Sequence, residues 1–306
     1  MKKNRILVYL RTLRVNQWIK NLIIFTAIIF TGNLFETDLF IKTLIAFIIF
    51  CLLSSASYVL NDIIDYPYDR KHPLKKNRPI ASGQVSLAEA SFITFILTLG
   101  SLILSLFFSL PLFFLSLFFI LLHFFYSLYF KRFPVIDIFS ISFSFMVRAY
   151  AGEVATGYHI PIWLVLTIFF GSLFMAAVKR HAELVAHGPE ARLSLYRYHE
   201  HFLDFLTYTF ATLTIIGYSF YTYFEKPPLT ITAFTRSFAN IFPGFEGRKW
   251  LMITIPMVVY GIARYAQLLY ERYEGEQPEK IITTDKPLIF SIFLWGAITV
   301  MLIYVF

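Results

Sequence analysis

The stretch DLFIKTLIAFIIFCLLSSASYVLNDIIDYPYDR, residues 38–70, opens as an apolar run and closes on three carboxylates, Asp62, Asp65 and Asp69. A membrane-spanning helix takes about 20 mostly apolar residues, and 38–60 supplies them. Acids at the edge of such a span are costly and by default mark a functional site. The rest of the chain repeats the apolar pattern. Of 306 residues 58% are hydrophobic, with 36 Phe and 19 Tyr, a composition that excludes a soluble globular domain and indicates a polytopic membrane protein. Apolar runs near 19–35, 38–60, 88–108, 111–130, 134–151, 161–180, 202–224, 250–270 and 287–305 predict an all-α bundle of nine transmembrane helices. Only SLP separates the third run from the fourth, which suits a tight helical hairpin. A single domain over residues 1–306 holds them all. Residues 1–18 are basic, then apolar, and lack a small-residue cleavage site, so they read as a cytoplasmic amphipathic segment.

Lys and Arg outnumber Asp and Glu by 27 to 19. In a membrane protein such an excess belongs to cytoplasmic loops and does not indicate nucleic-acid binding. The basic residues gather before Lys20, after the second span (Arg70 to Arg78), after the fourth (Lys131, Arg132), after the sixth (Lys179, Arg180, Arg192, Arg197) and before the last (Arg272, Lys280, Lys286). Nine spans put all of these on one side. The facing loop, 225–249, holds Lys226, Arg236, Arg248 and Lys249. The expected orientation in a bacterial-type inner membrane is therefore N-terminus inside and C-terminus outside. The one cysteine, Cys51, lies within an apolar run and reads as a small buried hydrophobe.

The unusual polar clusters share the cytoplasmic side. In Asn61-Asp62-x-x-Asp65-x-x-x-Asp69, offsets of three and seven residues align the carboxylates on one face of a continuous helix. Like charges there repel, and the face suits a hard cation: Mg²⁺ takes one or two carboxylates plus substrate phosphates. Pro67 predicts that the helix ends near Asp65, with Asp69 in the connection. A solvated acidic helix end is the plain alternative, although a helix C-terminus is electrostatically the wrong end for acids. In KHPLKKNRPIASGQVS, 71–86, Lys71, Lys75 and Lys76 suit lipid headgroups, and Arg78, before Pro79, suits a phosphate. Tyr126, Lys131 and Asp137 form a third group, and Arg148 lies eleven residues beyond Asp137, where an intramembrane cation avoids lipid; structural Asp–Arg pairing with other helices is the plain alternative for both. The fourth is Lys179-Arg180-x-x-Glu183. Lys179 and Glu183 can simply pair at i, i+4, or the two cations can clamp phosphate. His199 and His201 show no metal-ligand spacing and read as surface residues.

The first of these motifs, following a second span, resembles the UbiA-type intramembrane prenyltransferases. In that superfamily two Asp-rich motifs bind Mg²⁺ and the diphosphate of an isoprenoid donor. Asn61, Asp62, Asp65 and Asp69 match the first. The second is altered: Lys179 stands at its first acidic position and Glu183 at its second. LRVNQWIKNLIIF (13–25), YVLNDIIDYPYDRKHPLKKNRPIASG (58–83), VRAYAGEVATG (147–157), GSLFMAAVKRHAEL (171–184) and the stretch 264–288 are similar to the decaprenyl-phosphate phosphoribosyltransferase branch.

That resemblance implies Mg²⁺-dependent transfer of 5-phosphoribose from 5-phosphoribosyl 1-diphosphate (PRPP) to a polyprenyl phosphate, for cell-envelope glycan precursors. Asp62, Asp65 and Asp69 are then the expected metal ligands, with Asn61 in support. Lys179 joins them in the expected catalytic set. Lys20, Arg78, Lys131 and Arg180 are expected on phosphate, and Tyr126, Asp137 and Glu183 around the ribose or in support of the residues that touch substrate. The expected partners are PRPP, polyprenyl phosphate, membrane lipids and, compatibly, further copies of the chain. Two other readings stay open: ordinary prenyl transfer to an aromatic or lipid acceptor, and a non-catalytic lipid-binding membrane protein.

Overall fold

The structure, a computed structural model, describes residues 5–72, 75–188, 198–225, 247–271 and 284–304. Most of the loop 225–249 and much of the stretch 264–288 lie outside them, as do Arg192, Arg197, Lys226, Arg236, Arg272 and Lys280. Among the described residues there is no strand. A short helix, α1 (Arg5–Thr12), leads into a 3-10 segment (Val15–Phe25) and a brief α2 (Thr26–Phe30). There follow α3 (Thr37–Asp69), α4 (Leu87–Phe108), α5 (Leu110–Leu128), α6 (Ile136–Thr156), α7 (Ile162–His187), α8 (Glu200–Phe224), α9 (Ile255–Glu271) and α10 (Lys286–Tyr304).

Six stretches among the described residues are long and apolar enough to cross a membrane: Thr37–Ile64, Leu87–Phe108, Leu110–Leu128, Ile162–Val185, Trp250–Leu268 and Lys286–Tyr304. The sequence predicts nine, and the other three differ for physical reasons. α6 carries Asp137, Arg148 and Glu153, and α8 carries Glu200, Asp204 and a series of Thr and Tyr hydroxyls. α6 tolerates its charges because its polar face packs against other helices and buries Asp137 and Arg148. The first expected span, 19–35, is not one helix. It is 3-10 as far as Phe25 and α-helical only to Phe30, after which Gly32 turns the chain at φ 79°.

α3 also departs from expectation. It does not stop near Asp65 but runs through Pro67 to Asp69. Proline so close to the C-terminus removes a single helical donor, and Arg78 grips Asp69 at 2.6 Å, which anchors the last turn. The hairpin between α4 and α5 turns on one extended residue, Ser109 (φ −168°), whose hydroxyl accepts from the Leu112 N–H. Pro111 sits in the first turn of α5, where a missing N–H costs nothing. Ser86 and Glu89 form a reciprocal cap that sets the start of α4.

α6 is the axle of the N-terminal half, packed on the 3-10 segment, α3, α5 and α7. Ile24, Ile49, Phe50, Leu53, Phe119 and Val147 fill that interface. Two residues of α6 hold the 3-10 segment in place. Arg148 is buried, donating from Nε to Asn21 Oδ1 at 2.6 Å and from Nη1 to the Ser144 carbonyl at 2.9 Å. Its guanidinium lies 4.7 Å over the Phe119 ring and 5.4 Å over Phe145. One turn on, a Cβ built on Gly152 would sit 1.9 Å from the Ile24 carbonyl oxygen. Backbone meets backbone there, so a methyl group has no side chain to displace. Gly152→Ala is therefore expected to destabilise the bundle by about 1–3 kcal/mol, the usual cost of overpacking. Thermal unfolding in detergent checks this, and an unchanged melting temperature would show that the 3-10 segment is loosely held.

Candidate active site

α3 delivers Asp62, Asp65 and Asp69 to the end of the bundle at which α4 begins and α5 ends. Three carboxylates on one face repel one another, and each is met by a cation from another element. Asp62 Oδ1 accepts from Arg14 Nη2 at 2.5 Å and from Arg78 Nη1 at 3.1 Å. The same Arg78 Nη1 donates to Asp69 Oδ2 at 2.6 Å. Asp65 Oδ1 accepts from Lys131 Nζ at 2.5 Å, and its other oxygen accepts from Asn61 Nδ2 at 3.1 Å. Lys131 also reaches Asn61 Oδ1 at 3.5 Å. Asp62 and Asp69 are buried, whereas Asp65 and the three cations are between 17% and 27% exposed. Such pairs, open on one side to water, can be exchanged for a ligand of like charge.

Among the described residues no three Asp, Glu, His or Cys side chains converge tightly enough to cage a metal ion. Mg²⁺ needs no such cage, because it binds through one or two carboxylates and keeps its remaining sites for substrate oxygens. Hard oxygens on Asp62, Asp65 and Asp69 fit that requirement.

A second cluster centres on Arg180 of α7, which is 2% exposed at its side chain. Its Nε donates to Asp137 Oδ2 at 2.7 Å, Nη1 to Glu183 Oε2 at 2.6 Å and Nη2 to the Tyr126 hydroxyl at 3.3 Å. The Tyr198 hydroxyl donates to Asp137 Oδ1 at 2.8 Å and accepts from the Val135 N–H at 2.6 Å. Burial, and after it the Asp137 charge, push the Tyr198 hydroxyl well above its ordinary pKa, so it stays a proton donor. Val135 is a β-branched residue at φ 68°, a rare backbone state. Its bond to Tyr198 fixes the entry of α6 and thereby Asp137.

The structure places Arg180 among two carboxylates and a phenol, those of Asp137, Glu183 and Tyr126. Lys179, beside it, is 28% exposed and stands 4.0 Å from Glu183. The end of α5 joins the two clusters, with Tyr126 in the second and Lys131, just beyond the helix, in the first. Lys20 is half-buried on the 3-10 segment, within electrostatic reach of His123 of α5. His199 and His201 are exposed. Two contributors are absent from the expected set. Arg14 lies inside the quoted stretch 13–25, and its charge was the only sign it carried. Tyr198 carried none, since its contact with Asp137 spans 61 residues.

Residues 22–183 match the UbiA prenyltransferase family. The chain is 33% identical over 302 residues to the decaprenyl-phosphate phosphoribosyltransferase of Mycolicibacterium smegmatis, covering 96% of this chain and 91% of that protein. With the protein of the same name from Corynebacterium glutamicum it shares 32% identity over 303 residues, 97% of this chain and 86% of the other. In fold it is similar to a UbiA homolog from Archaeoglobus fulgidus bound to GPP and Mg²⁺, with a TM-score of 0.69 at 19% identity over 97% of this chain and 99% of that one.

The two clusters should respond differently to truncation. Arg180→Ala leaves Asp137 buried without its cation and is expected to cost about 3–5 kcal/mol. Lys179→Ala, at a partly exposed position, should stay within about 0.5 kcal/mol of the parent. Denaturation of the two variants in the same detergent tests the contrast; equal losses would refute it.

Proposed function

The chain belongs to the UbiA prenyltransferase family, and we propose that it is an enzyme transferring 5-phosphoribose from PRPP to a polyprenyl phosphate with release of diphosphate. The observation that carries this reading is the match over nearly the whole chain to two decaprenyl-phosphate phosphoribosyltransferases, at 33% and 32% identity. The chain is an integral membrane protein. For its topology we propose nine crossings, with α6, α8 and the Val15–Phe30 segment added to the six apolar stretches. The N-terminus and the acidic cluster are cytoplasmic and the C-terminus is outside, as the basic residues support.

The chemistry of the side chains agrees with this donor. PRPP carries a diphosphate on C1 and a separate phosphate on C5. Asp62, Asp65 and Asp69, with Asn61, are the proposed holders of Mg²⁺ and through it of the diphosphate; a UbiA homolog bound to Mg²⁺ supports a divalent ion in this fold. Mg²⁺ bound there supplies neutralisation of the charge that builds on the leaving oxygens. Arg78 and Lys131 already lie on the carboxylates, within reach of phosphate oxygens brought to them. Lys20 and Lys179 are the proposed cations for the remaining phosphates. Arg180 fixes the turn of α7 that carries Lys179.

A second carboxylate pair, as an isoprenoid diphosphate would require, is replaced by Lys179 and Glu183, and Glu183 is engaged with Arg180. That favours a donor with an additional phosphate. The acceptor phosphate is already an anion, so no strong general base is needed. Holding its oxygen beside C1 supplies much of the acceleration, while its apolar tail lies in lipid.

The test is direct. Purified protein in nanodiscs, given Mg²⁺, polyprenyl phosphate and radiolabelled PRPP, is expected to move label into the lipid phase, and EDTA to abolish the transfer. Asp65→Asn should lower kcat/KM by about 100-fold or more with the protein still folded. Prenylation of an aromatic acceptor from a prenyl diphosphate, without transfer from PRPP, would replace this reading with the alternative chemistry.

A further inference from the structure

Arg14 connects α1 to the 3-10 segment at φ 49°, ψ 50°. That is the left-handed region, which residues with a Cβ avoid. Such strain persists where the surroundings over-determine it, and it concentrates at ligand clamps and switches. Here the side chain does the determining. Nη2 lies 2.5 Å from Asp62 Oδ1, and the guanidinium sits 5.1 Å over the Tyr58 ring. The preceding carbonyl, of Leu13, accepts from the Ser55 hydroxyl at 2.8 Å, so the chain is pinned on α3 just before the strained residue.

One oxygen of Asp62 carries two guanidiniums. An Asp62 oxygen that ligates Mg²⁺, at about 2.0–2.1 Å, brings the metal charge beside both guanidiniums, and each cation repels it. Arg78 retains Asp69, at 2.6 Å, when it gives up Asp62. Arg14 makes no second ion pair among the described residues. Its remaining contact is the face of Tyr58, which holds a cation without holding an anion.

We infer that Arg14 is a ligand for the donor diphosphate and that it exchanges partners, leaving Asp62 for phosphate oxygens as Asp62 becomes a metal ligand. The inference rests on the reading of the acidic cluster given under Proposed function. The exchange conserves charge: a carboxylate passes to Mg²⁺ and a guanidinium to a phosphate. On Asp62 the guanidinium uses one nitrogen, Nη2, whereas its planar fork matches a phosphate bidentately. Tyr58 keeps it within the site during the exchange. Release from Asp62 also frees the left-handed turn to relax, so the strain at residue 14 favours the loaded arrangement.

The experiment uses the full chain in nanodiscs and isothermal titration with two probes: Mg²⁺ alone, and inorganic diphosphate at saturating Mg²⁺. In Arg14→Gln the affinity for Mg²⁺ alone is expected to rise, because a competitor for Asp62 is gone. The affinity for diphosphate is expected to fall by about tenfold or more, the worth of a lost charge-assisted pair. These opposite changes are the signature of exchange. Diphosphate binding that is unchanged or tighter would make Arg14 a counter-ion of Asp62 and overturn the inference. If Arg14→Gln fails to give a cooperative melt, Arg14→Lys decides. It keeps the charge beside Asp62 and loses the fork, so diphosphate affinity should drop several-fold with Mg²⁺ affinity unchanged; parental diphosphate affinity would overturn the inference. If the folded parent protein binds neither probe, the reading of the cluster itself fails and takes this inference with it. That failure is seen without any substitution, so the two are distinguishable.

Discussion

Three carboxylates on one helical face at a membrane edge cannot be left to themselves. Each additional charge raises the cost of the next, and the low dielectric nearby strengthens the repulsion. α3 solves this by drawing one cation from each of three places: Arg14 before the 3-10 segment, Arg78 from the loop leading to α4, and Lys131 from beyond α5. The consequence is architectural. Three connections that are far apart in sequence must meet at one end of the bundle, and the helices must be long enough to bring them there. α3 meets the requirement by continuing through Pro67, so that Asp69 reaches Arg78.

Holding Arg14 in place is the task of the interior. The 3-10 segment that follows it runs for eleven residues, where such geometry seldom exceeds a turn, so it depends on its neighbours. α3 ties it through Trp18 to Ser55 at 3.0 Å and Asn21 to Ser54 at 3.2 Å. α6 ties it by opposite means, a buried cation and a missing side chain. Arg148 makes no ion pair among the described residues; Asn21, Ser144 and two phenyl rings satisfy it. A guanidinium so enclosed fixes the register of Asn21 tightly, because any slip would strand a charge in apolar surroundings. Gly152 then sets the depth, letting the Ile24 backbone approach as no other residue would allow.

How much of this was legible depends on the range of each interaction. The stripe Asp62, Asp65, Asp69 was visible because it is local, written in offsets of three and seven along one helix. The α4–α5 hairpin was visible for the same reason. The 3-10 segment was not: residues 19–35 carry the composition of a spanning helix, and what breaks it lies on α3 and α6. Pro67 misled because its penalty is local while the compensation, Arg78 on Asp69, comes from a loop. The partners of Arg180 were hidden for the same reason. Beside Lys179 this arginine looks like half of a phosphate clamp, and nothing in the local sequence says that Asp137, 43 residues earlier, will take its Nε. Arg14 was readable as a charge but not as a contact, since its left-handed turn has no sequence signature outside glycine, asparagine and aspartate.

The two clusters hold similar groups and use them differently, and burial is the reason. Arg180 and Asp137 are 2% and 0% exposed. Parting them would leave both charges without water, so that pair is a permanent fixture of the α5–α6–α7 junction. Arg14, Arg78 and Lys131 keep 23%, 27% and 17% of their side-chain surface. On the proposed reading water attends each of these cations while it changes partner. A site for a multiply charged donor needs both kinds of pairing. On that reading the locked pair holds Lys179 at a fixed position, and the exchangeable pairs keep the acidic face neutral until anions and metal arrive together. On the same reading each cation leaves its carboxylate only as it gains a phosphate oxygen, and the carboxylate as it gains a metal ion, which lets a strongly charged substrate bind at the edge of an apolar bundle without leaving a charge unpartnered.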